Sequence, residues 1–434
     1  MAYGLGSLAT ATYAMVPGLV LMYYLTNIVG VTAAVAGFVV LIPKLLDLVY
    51  NPIIGRLSDS TVSPLGPRRP WMIAGMVLLP LGFVSIFFSP VSGNGAAWWV
   101  GAALAVSGVG FSAFVIPYSA LPAELGASSL ERTSMMVWRT AWLGVTMIAV
   151  ASMASSIATA DGGGPQEYRE MAVVMGCLIF VGTCGAMYSA RRSTHAGAVA
   201  SALQAGSLRD ALNTARRNRP FRTLLGVFML IEVVISVTLA GLPFLSEQIL
   251  GSDSALAPLF VCAIGPMLLT MPAWRRAAAA YGKKTCLTVA LSIFGVGALT
   301  VAALPGVAHT IRFEIACTAV LVAGVGFAGA QILPQAMLAD TLAADANESG
   351  HRRAGVLTGM WSAGETIGGA AGASLYGFVL AASGFVSSTA GEVVSQPRSA
   401  QWGIALGYST ISLVSVLAAL SLLRRYAPAE ESRA

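Results

Sequence analysis

Five ionisable side chains fall inside long apolar stretches of the sequence, and they are the candidates for chemistry. They are Lys44, Asp47, Arg139, Glu232 and Glu365. A charge at the centre of a bilayer costs about 2.5–3.5 kcal/mol on insertion scales, so such residues normally face a cavity or a partner. At ~1.5 Å per helical residue, Lys44, Glu232 and Glu365 lie near the bilayer midplane, and Arg139 lies closer to one surface.

Lys44, Asp47 and Asn51 are spaced so that they share one face of a helix. Lys44 and Asp47 are three residues apart, and Asp47 and Asn51 are four residues apart, which are the spacings of helical neighbours. One interpretation is a self-neutralised ion pair that only makes the helix insertable. The other is a carboxylate whose protonation or cation binding changes with the conformational state. The spacing alone leaves both open.

The composition indicates an all-α membrane protein. Of 434 residues, 56% are hydrophobic and only 10% are charged, whereas a soluble domain carries about 25% charged residues. The chain therefore cannot cover several soluble domains. The five cysteines all lie within apolar segments, and none is placed for a disulfide or a metal cluster.

We predict twelve membrane-spanning helices, because each apolar stretch has the roughly 20 residues that cross a bilayer. Their ranges are 4–29, 33–58, 70–90, 96–123, 133–160, 168–190, 222–250, 254–274, 283–304, 310–340, 354–386 and 400–424. With both termini in the cytoplasm, the inner loops and the tail hold 20 Lys and Arg residues, and the outer loops hold three. This bias predicts an integral protein of the cytoplasmic (inner) membrane. It also makes the net charge of +6 a feature of the cytoplasmic face, so we expect the lipid bilayer and no nucleic acid as a partner.

Two halves of six helices follow from the position of the longest polar stretch. We assign 1–190 to an N-terminal bundle, 191–221 to a basic cytoplasmic linker, 222–424 to a C-terminal bundle and 425–434 to a cytoplasmic tail. Weak self-similarity supports a duplication, since a proline is followed by an acid at Pro117…Glu124 and at Pro334…Asp340. Duplicated halves around a midplane cavity are a transporter architecture.

Three motifs closely resemble one transporter family. They are the run Asp47–Asp59 with Gly66–Trp71, the run Pro117–Leu125 with Arg132 and Arg139, and the stretch Leu338–Gly369. They are similar to signatures of the glycoside–pentoside–hexuronide:cation symporters, the melibiose-permease-like branch of the major facilitator superfamily. The resemblance implies the major facilitator fold and a transporter that moves a small organic solute by cation-coupled alternating access. A glycoside-like solute is the leading candidate, and no cofactor is expected.

The resemblance also implies a cation site, from which this chain departs. Sodium-coupled members use two helix 2 acids and one helix 4 acid, and the matching positions here carry Asp47, Asn51 and Val115. A single carboxylate beside Lys44 is a poor sodium cage, whereas proton coupling needs only one titratable group. We therefore expect H⁺ rather than Na⁺, through Asp47 or Glu365, with Lys44 as charge partner and Asn51 as polar ligand.

The substrate side departs as well. The family's helix 1 acid aligns with Ala11, while its helix 5 arginine matches Arg139, which we expect to orient the substrate. Four aromatic residues could stack on a sugar ring or could equally be packing residues: Tyr118, Trp138, Trp142 and Trp361. The carboxylate of Glu232 could take up a proton or pair with a cation across the cavity. Because Ala11 and Val115 make the N-terminal half less polar, amphipathic or lipid-like solutes are the alternative.

A cytoplasmic gate is predicted from charges at the inner helix ends. The set is Asp59, Arg68, Arg69, Glu124, Arg132, Asp340, Arg352 and Arg353. Ion pairs among them could latch one conformational state. The alternative is that they only anchor loops at the lipid headgroups.

Other classes of function have less support. The histidines at 195, 309 and 351 lie in separate loops and form no catalytic grouping, so we expect no enzyme. A transport-dead sensor would usually carry a soluble output domain. The sequence does not distinguish export of the solute from its uptake. We expect the protein to be a monomer.

Overall fold

A computed structural model describes residues 3–66, 68–125, 129–160, 163–190, 218–349, 354–389 and 395–426. Over these residues the chain forms twelve α-helices. They are α1 (Gly6–Val16), α2 (Ala33–Ser60), α3 (Arg69–Ile86), α4 (Ala96–Leu125), α5 (Ser129–Ala158), α6 (Pro165–Ala190), α7 (Arg219–Phe244), α8 (Leu256–Tyr281), α9 (Lys283–Val301), α10 (His309–Ser349), α11 (Ala354–Ala382) and α12 (Arg398–Arg424).

The helical membrane class predicted from composition is confirmed. Nine stretches of the described residues are helices long and apolar enough to cross a bilayer. The number of twelve spans stays a prediction, since α1 and the described part of α5 are shorter apolar helices.

The first predicted span, 4–29, is not one regular α-helix. α1 ends at Val16, and π-helical turns follow at Pro17–Leu21 and Tyr24–Ile28. Pro17 has no N–H to donate and its ring crowds the preceding turn, so the regular hydrogen-bond pattern is interrupted there.

The chain forms two compact units. The described residues of the first fall within Met1–Ala205 and Ser387–Val394, and those of the second within Gly206–Val386 and Ser395–Ala434. The predicted boundaries at 190 and 222 stay predictions, because residues 191–217 of the linker lie outside the described part of the chain.

Glycines set the closest helix packing in the first unit. A β-carbon on Gly110 of α4 would lie 2.5 Å from the backbone nitrogen of Leu79 on α3, and one on Gly82 of α3 would lie 2.7 Å from the backbone nitrogen of Ser107. No side chain fits at such distances, so glycine lets the two backbones touch.

The second unit repeats this arrangement between its own third and fourth helices. A β-carbon on Gly297 of α9 would lie 2.5 Å from the backbone nitrogen of Ala323, and one on Gly326 of α10 would lie 2.5 Å from that of Phe294. The repeated glycine contact is what a duplication of six-helix halves predicts.

A short segment between α11 and α12, beginning at Ser387, belongs to the first unit, which the sequence did not predict. Ser388 donates its backbone N–H to the carbonyl of Thr26 at 3.0 Å, and Thr389 forms an antiparallel bridge with Val29. Gly30 follows with a φ of +78°, a conformation that glycine adopts without steric cost.

Candidate functional site

Asp47 lies on the packed face of α2, away from the face that is open to lipid. It is 9% exposed and shares that face with Val39 and Ile54, which are also buried. The opposite face carries exposed apolar side chains at Phe38, Ile42, Leu45, Val49 and Ile53. The amphipathic pattern of α2 therefore turns its carboxylate into the protein.

The predicted Lys44–Asp47 pair is present. Lys44 Nζ lies 3.6 Å from Asp47 Oδ2, and the lysine side chain is 37% exposed against 13% for the aspartate. The same ammonium lies over the ring of Tyr13 from α1, 5.2 Å from its centroid. Lys44 is thus held between a carboxylate and the negative face of an aromatic ring.

Tyr13 is in turn fixed by α4. Its ring stacks on Phe111 with centroids 4.6 Å apart, and its hydroxyl lies 3.4 Å from the hydroxyl of Ser107. Nothing in the sequence distinguished Tyr13 from other aromatic residues in apolar segments, so it was not predicted. Its part in the site is visible only in the packing.

Gly108 on α4 makes room for the carboxylate. A β-carbon at this position would lie 2.6 Å from Asp47 Oδ1 and 3.8 Å from the Tyr13 hydroxyl. One turn further along α2, Asn51 Oδ1 accepts a 2.6 Å hydrogen bond from the hydroxyl of Ser112 on α4. The charged pair is therefore enclosed by α1, α2 and α4, and its Asn51 neighbour is already hydrogen-bonded.

Arg139 on α5 lies in a separate aromatic cluster of the same unit. Its guanidinium carbon is 5.2 Å from the centroid of the Tyr118 ring, and its backbone carbonyl accepts a 2.8 Å hydrogen bond from Ser7. Tyr118 stacks on Tyr3 with centroids 4.6 Å apart and donates its hydroxyl to the Tyr3 carbonyl at 2.8 Å. Burial raises the pKa of the Tyr3 hydroxyl, and the nearby Arg139 charge lowers it in part.

The four predicted aromatic platforms differ in access. Tyr118 is fully buried and Trp361 is 3% exposed, whereas Trp138 is 38% exposed. Trp142 is half-buried, beside Gly4. Their role as substrate platforms stays a prediction, and Trp138 presents the largest open surface of the four.

The second unit places its two predicted acids together. Glu232 on α7 and Glu365 on α11 interact electrostatically. One turn before each acid, Phe228 and Trp361 stack with centroids 4.0 Å apart. Gly368 allows this approach, since its β-carbon would lie 2.5 Å from the carbonyl of Met229.

The structure describes the side chains of three predicted gate residues, and each of these side chains makes a contact inside its own unit. Asp340 pairs with Lys283 at 2.5 Å, Arg68 donates to the hydroxyl of Ser58 at 3.3 Å, and Arg69 donates to the Ala190 carbonyl at 3.0 Å. The others are outside the described residues or side chains: Asp59, Glu124, Arg132, Arg352 and Arg353. The latch therefore stays a prediction. Lys283 was missed as a gate residue, although Gly282-Lys283-Lys284 resembles Gly66-Pro67-Arg68-Arg69 of the first half.

A family model described as MFS/sugar transport protein matches residues 2–428. The chain belongs to this family. An uncharacterized symporter of Synechocystis sp. is 24% identical over 97% of this chain and 92% of its own length. The glucuronide carrier protein homolog of Escherichia coli is 24% identical over 89% of this chain and 84% of its own length.

A solved structure supports the fold. The crystal structure of a D-xylose–proton symporter matches 99% of this chain and 98% of its own chain, with a TM-score of 0.71 and 13% identity. The major facilitator fold and the resemblance to a symporter family, both predicted from the motifs, are confirmed. The protein is a secondary transporter of the membrane, as its family is, and not an enzyme.

Proposed function

We propose that the protein is an H⁺-coupled symporter of a small organic solute, with a glycoside-like solute as the leading class. The observation that carries this proposal is the Lys44–Asp47 pair on the packed face of α2. It provides one carboxylate, shielded from lipid, that can take up and release a proton. The two other positions that hold acids in sodium-coupled relatives carry Asn51 and Val115.

A single carboxylate favours a proton over sodium for a physical reason. Sodium prefers several oxygen ligands with compensating negative charge, and a neighbouring ammonium opposes its binding. A proton needs one base, whose affinity for the proton changes when burial and the neighbouring charge change. A conformational cycle that alters the access of Asp47 to water therefore lets this one carboxylate carry the proton.

The cellular setting is part of the proposal. The excess of Lys and Arg in alternate loops favours the cytoplasmic (inner) membrane, with both termini in the cytoplasm. We propose a monomer that needs no cofactor, and uptake as the direction under an inward proton gradient.

The test is uptake by proteoliposomes of a panel of sugars, glycosides, uronic acids and lysolipids. The proposal expects accumulation of a glycoside-like solute when an inward pH gradient is imposed, and no dependence on Na⁺. Accumulation that needs Na⁺ and ignores the pH gradient would overturn H⁺ coupling. Accumulation of lysolipids in place of glycosides would move the solute class to the amphipathic alternative. Glu170→Gln serves as the control, because it removes an exposed carboxylate outside the site.

A further inference from the structure

A cavity of about 390 Å³ lies in the second unit, at the place where α8 and α10 begin. Its walls include His309 and Arg312, and the hydroxyls of Ser252 and Ser254, which also line it, lie 2.8 Å apart. The volume is within the range of small-molecule pockets, about 300–1,000 Å³. With both termini in the cytoplasm, as proposed above, this end of the unit faces the outer surface of the membrane. No described residue that lines the cavity belongs to the sites discussed above.

Arg312 presents a fixed positive charge to this cavity. Its guanidinium donates two hydrogen bonds to the Val307 carbonyl, at 3.2 and 2.8 Å, and one to the Ile249 carbonyl at 2.8 Å. These bonds leave two of its five N–H groups without an acceptor among the described residues. A guanidinium that is held in place and keeps donors available suits a phosphate group. No described carboxylate lines the cavity, so an anion meets no described negative charge there.

An apolar groove continues from the cavity along α8 and α10 toward the bilayer centre. On α10, Phe313 lines the cavity and Leu321 follows two turns later, and these side chains are 40% and 45% exposed. On α8, Pro258 lines the cavity and Leu269, three turns later, is 83% exposed. Spacings of eight and eleven residues keep each pair on one side of its helix. A β-carbon on Gly324 of α10 would lie 2.6 Å from the α8 backbone, so the two helices touch and the groove has a closed floor.

We propose that the cavity and the groove together bind an anionic phospholipid of the outer leaflet. The phosphate accepts the two remaining N–H groups of Arg312. The hydroxyls of Ser252 and Ser254 and the imidazole of His309 supply further hydrogen bonds, and the acyl chains cover the apolar side chains of the groove. A phospholipid fits because the charge and the apolar surface are continuous, whereas a small soluble anion would use the charge alone. The bound lipid is not the transported solute, so the inference goes beyond the proposed function.

The experiment measures lipid binding to the purified protein by native mass spectrometry. The probes are dioleoyl phosphatidylglycerol, dioleoylglycerol, which lacks the phosphate, and glycerol phosphate, which lacks the acyl chains. Arg312→Gln removes the charge of the cavity, and Phe313→Ala truncates an exposed ring of the groove. Arg398→Gln is the control for charge, since it removes a cation at the start of α12. Leu299→Ala is the control for apolar surface, since it truncates a 54% exposed side chain of α9.

We expect Arg312→Gln to weaken the binding of phosphatidylglycerol about tenfold, because charge-assisted hydrogen bonds to the phosphate are lost. Phe313→Ala should weaken it about fivefold, because less apolar surface is covered. Both control variants should bind phosphatidylglycerol as the unaltered protein does. Dioleoylglycerol should bind about tenfold more weakly than phosphatidylglycerol, and glycerol phosphate more weakly still.

The inference is overturned if dioleoylglycerol or glycerol phosphate binds as tightly as phosphatidylglycerol, or if the control variants lose as much affinity as the site variants. Arg312→Gln also removes hydrogen bonds to two carbonyls, so its melting temperature is measured beside its binding. If that variant does not fold, Phe313→Ala decides, and unchanged binding of phosphatidylglycerol by it contradicts the inference. The measurement involves no transport, so failure of the proposed function in proteoliposomes leaves its result unaffected.

Discussion

The described residues of the two units share one kind of helix contact but differ in the charged groups that their helices carry. In the first unit α3 and α4 touch through Gly82 and Gly110, and in the second α9 and α10 touch through Gly297 and Gly326. At these positions a side chain of any size would meet backbone atoms. The fold itself therefore requires these glycine contacts, and they do not depend on which solute the protein transports.

The ionisable side chains along the helices differ between the two units. The first unit has Lys44 paired with Asp47. The second has Glu232 near Glu365, and the charge that acts on Glu232 among the described residues is that second acid. The shared glycine contacts therefore belong to the scaffold of both units, whereas the Lys44–Asp47 pair, to which our proposal assigns proton coupling, lies in the first unit.

The largest expected effect is on folding, and it should be the same in both units. Gly110→Leu and Gly326→Leu each force a side chain against a backbone nitrogen 2.5 Å away, which we expect to cost about 3 kcal/mol or more. Gly101→Leu on α4 is the matched control, since no atom lies within 4 Å of its β-carbon position. The measurement is the yield of monodisperse protein and its melting temperature. Equal yields and melting temperatures for Gly110→Leu and Gly101→Leu would contradict the requirement for glycine at this helix contact.

A smaller change should separate coupling from folding. Gly108→Ala places a methyl group 2.6 Å from Asp47 Oδ1, so the carboxylate must move away from its present place. We expect accumulation under a pH gradient to fall about tenfold, which corresponds to ~1.4 kcal/mol, with little change in melting temperature. Gly101→Ala is the control. Accumulation by Gly108→Ala at the level of the unaltered protein would show that the position of Asp47 is not critical.

The sequence predicted the charged pair but not its surroundings. Lys44 and Asp47 were recognisable because ionised residues are rare in apolar segments and their spacing places them on one helix face. Tyr13 and Gly108 were not, since a tyrosine and a glycine are ordinary in membrane helices and their roles depend on how α1 and α4 pack on α2.

The same limit applies to the helix ends. Each described α-helix overlaps one predicted apolar stretch, and the number of membrane spans stays a prediction. The π-helical turns after Pro17 depend on local hydrogen bonding that hydropathy does not report. The pairing of Asp340 with Lys283 depends on contact between α10 and α9, which a pattern within one helix cannot reveal.

Buried aromatic residues offer a finer comparison of the two units. The Tyr118 hydroxyl donates to the carbonyl of Tyr3, whereas the indole N–H of Trp361 is buried without a partner among the described residues. We expect Tyr118→Phe to lower the free energy of unfolding by about 0.5–1.5 kcal/mol, because one buried hydrogen bond is lost. Trp361→Phe loses no hydrogen bond but removes part of a buried ring, so its loss of stability comes from packing. Thermal unfolding of Tyr118→Phe measures the hydrogen-bond effect, and an unchanged melting temperature would contradict it.

The smallest effect is expected at the inner end of the second unit. The Lys283 and Asp340 side chains are 37% and 60% exposed, so water and salt screen their attraction. A double-mutant cycle with Lys283→Gln and Asp340→Asn should give a coupling free energy of about 0.2–1 kcal/mol that decreases with added salt. A coupling several times larger, or one insensitive to salt, would mean that the pair is shielded in the membrane-bound protein.

The central claim, that Asp47 couples solute movement to protons, is tested most directly by Asp47→Asn in proteoliposomes. The variant cannot take up and release a proton at this position, so accumulation driven by an inward pH gradient should be abolished. Exchange of solute across the membrane without a gradient should continue in part, because the binding site and the conformational cycle remain. Accumulation by Asp47→Asn equal to that of the unaltered protein would contradict the account.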